Sequence, residues 1–194
     1  MWMVSADDVG RAAWRRMRAD GTLTVATPFA AFPADVPVTW QVRLALIRPF
    51  LRVDGYVSGL GALWVHDGGT APLAIDVCTP SRRHDRQAST TWPVRLHHSA
   101  RPEDPERLAA RPRAIVDALR WSPLEEALPV VVRTVRDGRA AVADVQRELT
   151  LLRSHDRTCK RAERAWAMLR QSGVLPGATV AQNSRRVPVT RRAS

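Results

Sequence analysis

The sequence is short of lysine, cysteine and long apolar runs, and each shortage limits what the protein can do. Lys160 is the only lysine among 30 basic residues, so any chemistry that needs a lysine would have to use it. The two cysteines, Cys78 and Cys159, are too far apart for a disulfide framework or a metal motif, and we expect reduced thiols. No stretch reaches the length of a membrane span, and the N-terminus lacks the basic and apolar regions of a signal peptide. We therefore expect a cytoplasmic protein.

The composition is that of a soluble globular protein, with 194 residues of which 45% are hydrophobic and 25% charged. The formal net charge is +11, and it is unevenly placed. Residues 151–194 hold ten basic residues and two acids, whereas residues 1–150 are close to neutral. A segregated basic segment attracts polyanions. The alternative is a solvated tail with no partner.

Hydrophobic periodicity and turn residues predict an α+β fold. Its parts are a small antiparallel β element, several flanking helices, a helical C-terminal half and a disordered basic tail. The predicted strands cover 22–27, 72–79 and 93–98, and the last two could pair antiparallel across a basic loop, 81–91. The predicted helices cover 5–19, 38–51, 58–64, 113–121, 122–136, 142–152 and 157–171. We divide the chain into an N-terminal helix and strand (1–37), an α+β core (38–172) and a basic flexible tail (173–194).

No catalytic arrangement is evident in the sequence. Asp76 lies on a predicted strand, but no Glu-x-Lys follows it, so a metal-dependent nuclease is disfavoured. His97 and His98 are adjacent on a strand, point to opposite faces and cannot easily share a metal with His84. Ser58 lacks the glycine of a hydrolase elbow and is expected to begin a helix. We therefore predict a non-enzyme with no catalytic residue, metal or cofactor, and a small-molecule ligand is not expected.

Arginine-rich helix faces are the features that point to binding. In the helix 157–171 the apolar residues Cys159, Ala162, Trp166 and Leu169 fall on one side and the basic residues on the other. Because arginine is suited to bidentate phosphate contact, such faces indicate binding to the nucleic-acid backbone. An acidic protein would meet the same charges. The predicted nucleic-acid-binding residues are Arg11, Arg15, Arg18, Arg153, Arg157, Lys160, Arg161, Arg164, Arg185 and Arg186.

Three blocks of sequence occur together in a familiar order. They run from Tyr56 to Trp64 (YVSGLGALW), from Ala74 to Pro80 (AIDVCTP) with VRLHHS at 94–99, and from Arg113 to Leu119 (RAIVDAL) with EEAL at 125–128 and DGR at 137–139. In this order and spacing they resemble the core of AbiEi-family antitoxins, which are predicted transcriptional regulators of viral-defence systems. The resemblance covers roughly residues 50–170.

This resemblance implies a repressor that counteracts a nucleotidyltransferase-like toxin and carries a winged helix-turn-helix at its N-terminus. Two departures stand out. Gly59 occupies the position at which the family commonly has a histidine. One helix, 5–19, and one strand, 22–27, precede the core, whereas a winged helix-turn-helix has about three helices before its wing. The strand could be a remnant of the wing, and the recognition helix is expected to be missing.

The sequence thus predicts a non-catalytic, defence-associated regulator or antitoxin-like protein. It would bind the phosphate backbone of DNA through its arginine-rich faces and a nucleotidyltransferase-like toxin through its core. One alternative is a pure protein-interaction module that does not bind DNA. A second is a degenerate relative of Vsr-like nucleases, a domain into which some actinobacterial members of the family continue.

Overall fold

A computed structural model describes residues 3–27, 29–51, 54–80, 92–99, 106–153 and 159–176. The predicted basic loop, 81–91, and the predicted tail beyond residue 176 lie outside these residues. Within the described part the chain is α+β, as predicted, with a three-stranded sheet near the N-terminus, a second three-stranded sheet in the core, and a helical C-terminal half.

The N-terminal unit contains more elements than the sequence indicated. The single helix predicted over 5–19 is wrong, because the chain turns at Gly10 with φ 79°, a value in the region that favours glycine. The proline- and alanine-rich connection after Thr27 contains a further strand. The three strands pair antiparallel in the order β1-β3-β2. The elements are β1 Val4–Ser5, α1 Ala6–Val9, α2 Arg11–Ala19, β2 Leu23–Thr27 and β3 Ala30–Pro33.

Short polar side chains fix where these helices begin and end. The hydroxyl of Ser5 accepts from the backbone N–H of Asp8, and the Asp8 carboxylate accepts from the backbone N–H of Ser5, which completes a capping box. The hydrogen bonds that the hydroxyl and the backbone N–H of Ser5 donate to the Asp8 carboxylate lower the pKa of Asp8. After α2, the Asp20 carboxylate accepts from both the hydroxyl and the backbone N–H of Thr22, so the helix stops and the chain turns into β2.

The second sheet lies in the core and has the order β4-β5-β6. Strands β4 and β5 are antiparallel, whereas β5 and β6 are parallel, so the antiparallel pairing expected for the second and third predicted strands is wrong. Residues 80–93 connect them and are long enough for a parallel crossover, which needs about a dozen residues. The elements are α3 Trp40–Ile47, a 3-10 turn Arg48–Phe50, β4 Tyr56–Ser58, α4 Gly59–Asp67, β5 Ile75–Thr79 and β6 Val94–His98.

Four helices follow the second sheet along the chain; α5 contacts β4, and the other three pack against α5. Helix α5 is the centre of this half, because it contacts α4, α7 and α8 and is buried over almost its whole length. The predicted positions of all four helices agree with the structure to within a few residues. The helices are α5 Arg111–Trp121, α6 Leu124–Arg136, α7 Val142–Arg153 and α8 Lys160–Gln171.

One large hydrophobic core runs through both parts of the chain. It includes Phe32 of β3 as well as the second sheet and the C-terminal helices. Trp14 of α2 packs in a smaller cluster with Leu23 and Ala31. Leu175 is only 3% exposed and belongs to the large core. The predicted start of the tail at residue 173 is therefore too early.

Candidate nucleic-acid interface

A line of arginines runs along the exposed side of α2. Arg11, Arg15 and Arg18 are all exposed, and their spacing of four and three residues places them within an arc of about 60° over a length of about 10 Å. Trp14 is buried and Met17 is half-buried on the side that faces the sheet. Within the described part of the chain, none of the three arginines is within ion-pair distance of a carboxylate. All five guanidinium N–H groups of each are therefore available to an anion.

The second predicted basic face, on α8, includes three exposed residues, Lys160, Arg161 and Arg164. Arg161 also binds within the protein. Its Nη1 donates to the carbonyl of Arg120 at 2.8 Å and its Nη2 to the carbonyl of Ser122 at 2.7 Å. Because the last carbonyls of a helix lack partners within the helix, Arg161 caps the C-terminal end of α5. Its role as a nucleic-acid contact stays a prediction.

The apolar side of α8 is as predicted. Cys159, Ala162, Trp166 and Leu169 are each at most 5% exposed. The remaining predicted contacts are not described by the structure. Arg153 is the last residue of α7, and the structure does not describe its side chain. The structure does not describe Arg157, Arg185 and Arg186 at all.

Asp76 is buried in the middle of β5 and is surrounded by basic groups. Its carboxylate is 0% exposed and accepts from Nε and Nη2 of Arg95 at 2.9 and 3.0 Å. The Nε2 of His97 lies 2.8 Å from the same carboxylate. The ring of His97 stacks on Trp121 with centroids 3.6 Å apart, which leaves the imidazole held between a carboxylate and an indole. Asp76 thus has a full set of protein partners, as a structural acid would.

Gly59 allows this acid to fit beside the start of α4. It has φ 57°, and a Cβ built there would lie 2.9 Å from Oδ2 of Asp76. Real Cβ atoms essentially never approach that closely, so a larger residue would move the Asp76 carboxylate. The close contact gives a physical reason for glycine at this position.

A second buried acid, Asp117 of α5, joins this helix to β4. Ser58 donates its hydroxyl to Oδ2 at 2.8 Å, Arg113 donates Nε to the same oxygen at 2.6 Å, and Arg120 donates Nη1 to Oδ1 at 2.7 Å. The predicted position of Ser58 at the start of a helix is confirmed, but its side chain makes no capping hydrogen bond. Burial by itself would lower the pKa of Arg113, but the charge and hydrogen bond of Asp117, together with Tyr56 and Cys78, outweigh burial and raise that pKa. The sequence analysis missed this network, although an Asp with arginines four residues before and three after it is a detectable signal.

The buried hydroxyl and thiol near this network have raised pKa values. Burial raises the pKa of Cys78 to about 12, and the charge of Asp117 adds to the effect. Burial also raises the pKa of Tyr56 above its usual value. A thiol that stays protonated is a poor nucleophile. Over the residues that the structure covers, no group of three or more His, Cys, Asp or Glu could hold a metal.

Comparison with known proteins adds no relative from which a function could be inferred: no family model matches the chain, and no curated protein matches it either. Among the helices described, none is both long and apolar enough to cross a bilayer.

Proposed function

We propose that this protein is a non-catalytic regulator of the antitoxin type, which binds the phosphate backbone of DNA through α2 and a partner protein through residues 38–172. The observation that carries the nucleic-acid half is the line of three exposed, unpaired arginines on α2. Each can bind one phosphate bidentately. Lys160 and Arg164 on α8 are secondary contacts in this proposal.

The order of the N-terminal elements also supports the proposal. A strand is followed by two short helices that meet at Gly10, and then by a two-stranded hairpin, with sheet order β1-β3-β2. This is the arrangement of the later part of a winged helix-turn-helix, in which the second helix of the pair enters the major groove. In this interpretation α2 is the recognition helix.

The hairpin tip differs from a wing that reaches towards DNA. Phe29, at the tip, packs edge-on against Trp92 with centroids 5.2 Å apart, and Ala26, Ala30 and Phe32 belong to the large core. A tip that is packed into the protein has little surface left for a duplex. We therefore assign the main DNA contact to α2 rather than to the hairpin and expect weak binding dominated by phosphate.

The size of the salt effect tests this assignment. For three phosphate contacts, log K against log salt should have a slope of about −2.7, so that affinity falls about 40-fold between 50 and 200 mM salt. The measurement is fluorescence anisotropy of a labelled 20-base-pair duplex with the full chain. If α2 is the interface, replacing Arg11, Arg15 and Arg18 together by alanine abolishes the salt-dependent binding.

A matched control removes the same charge elsewhere. The control variant replaces three other exposed arginines by alanine, and its net charge equals that of the α2 variant. It should keep at least half of the binding free energy. Equal losses of affinity in the two variants would mean that net charge, and not α2, attracts the duplex. If the wild type did not bind the duplex at 50 mM salt, the proposal that this protein binds DNA would be wrong. The control arginines are Arg48, Arg136 and Arg170.

The partner half of the proposal depends on the core. Leu151 on α7 and Met168 on α8 are large apolar side chains that are 43% and 49% exposed, and apolar side chains on a surface are available to a partner protein. We further propose a cytoplasmic location, which agrees with two free, buried cysteines. Co-purification with a nucleotidyltransferase-like protein, and its loss with Leu151→Asp and Met168→Asp, tests this half. Retained DNA binding by that variant would show that the fold is intact.

A further inference from the structure

A cluster of arginines surrounds the C-terminal end of α4, which we call the α4 corner (residues 66–69 with Arg43, Arg111, Arg133 and Arg139). At its base lies Asp67, whose carboxylate is 1% exposed. It accepts from Nε of Arg111 at 2.9 Å and from the hydroxyl of Thr134 at 3.0 Å. Nη1 of Arg139 lies 3.6 Å from the oxygen that Arg111 binds. One buried acid thus holds two guanidinium groups side by side.

The outer side of Arg111 remains accessible, whereas Arg139 is already paired: its Nη2 lies 3.2 Å from Oδ2 of Asp137 and its Nη1 donates to the carbonyl of Asp67 at 3.3 Å. The side chains of Arg111 and Arg139 are 34% and 40% exposed, and only Nε of Arg111 is engaged with Asp67. Arg43 contributes no accessible donors of this kind, because its Nε and Nη1 donate to the carbonyls of Val65 and Val38. The corner therefore presents fixed N–H donors above a carboxylate that is already fully bound.

Arg133 supplies the third guanidinium and has no partner of its own. It is exposed, and it makes no hydrogen bond or ion pair through its side chain in the part of the chain that is described. Its Nη2 lies 2.9 Å from where a Cβ of Gly69 would be, so the absence of a side chain at that position lets the guanidinium lie against the backbone. The buried Asp67 and the glycine at position 69 together place Arg111, Arg133 and Arg139 around residues 66–69.

From this geometry we propose that the α4 corner binds a phosphate monoester, with Arg133 as the principal contact and Arg111 as a supporting donor. Arginine guanidinium groups match the oxygens of phosphate bidentately. The position of Arg111 is set before the ligand arrives, and preorganisation of this kind reduces the entropic cost of binding. Arg139 is already paired with the exposed carboxylate of Asp137 at 3.2 Å, and Glu106 is a second exposed acid near this corner. The donors left for a ligand are therefore those of Arg133 and Arg111, which suits a compact group better than an extended polyanion.

The probe is inorganic phosphate, added to the full chain at constant ionic strength against chloride. The readout is the set of arginine side-chain Nε–H signals in a nitrogen–proton NMR spectrum, with Arg133 and Arg111 assigned by single variants. We expect saturable shifts of both signals. Arg133→Ala should weaken phosphate binding by about tenfold or more, the effect of losing a charge-assisted hydrogen bond.

Arg136 provides the matched control, because it is an exposed arginine on the same helix with no ion pair in the described residues. Arg136→Ala should change phosphate binding less than twofold. Equal weakening in the two variants, or shifts that follow ionic strength and do not saturate, would mean an adventitious ion only and would overturn the proposal. Neither outcome depends on duplex binding by α2. The α2 variant should bind phosphate at the corner as the wild type does, so this proposal and the proposed function fail separately.

Discussion

The buried carboxylate of Asp117 offers the sharpest test of how the core is held together. It is 0% exposed, and the side chains of Arg113 and Arg120 that it pairs with are each 4% exposed. Asp117→Ala would leave two guanidinium groups in the core without their main counter-charge. Removing one partner of a buried ion pair costs about 3–5 kcal/mol, against a total stability of about 5–15 kcal/mol for a domain. The variant should lose about a fifth or more of its free energy of unfolding.

The assay is urea denaturation followed by circular dichroism, with the midpoint and slope fitted for each variant. Asp144 gives the matched control, because it also pairs with an arginine three residues away, Arg147, at 2.9 Å, but both side chains are exposed at 44% and 69%. Asp144→Ala should cost about 0–1 kcal/mol. If Asp117→Ala cost no more than Asp144→Ala, the buried network would not stabilise the fold, and our account of the core would be wrong.

Three further predictions concern single residues. Gly59→Ala should lower the free energy of unfolding by about 1–3 kcal/mol in the same urea assay, because it combines a strained φ with a Cβ that lies 2.9 Å from the Asp76 carboxylate; an unchanged midpoint would contradict this. The contribution of Cys78 to the free energy of unfolding should be constant below about pH 9 and should be lost between pH 9 and 12, since burial raises the pKa of Cys78 to about 12 and the unfolded chain loses that proton first; Cys78→Ala should reduce the fall in stability over this range. Arg161→Ala should destabilise the protein by about 1.5–3 kcal/mol through the loss of two charge-assisted hydrogen bonds to carbonyls, whereas Arg164→Ala, the neighbouring control, should leave the denaturation midpoint unchanged.

The sequence by itself determined the α+β class and the positions of the long helices. Helical periodicity is a local property, and in α8 the spacing of Cys159, Ala162, Trp166 and Leu169 correctly gave the buried side. The line of arginines on α2 follows from the same periodicity. A single helix was nevertheless predicted there, because neither its break at Gly10 nor the strand Ala30–Pro33 has a strong local signal.

Only the tertiary structure decided which polar residues contact each other and which arginines keep donors that a ligand could bind. The pairing of β5 with β6 is parallel, and this register sets Asp76 beside Arg95, a contact that depends on a crossover rather than on local sequence. Arg161 and Arg164 are both exposed and look alike on a helical wheel, yet Arg161 donates two hydrogen bonds to the end of α5. The charges and the hydrophobic periodicity can be determined from the sequence, whereas the pairing of charges depends on distances between residues that are far apart along the chain.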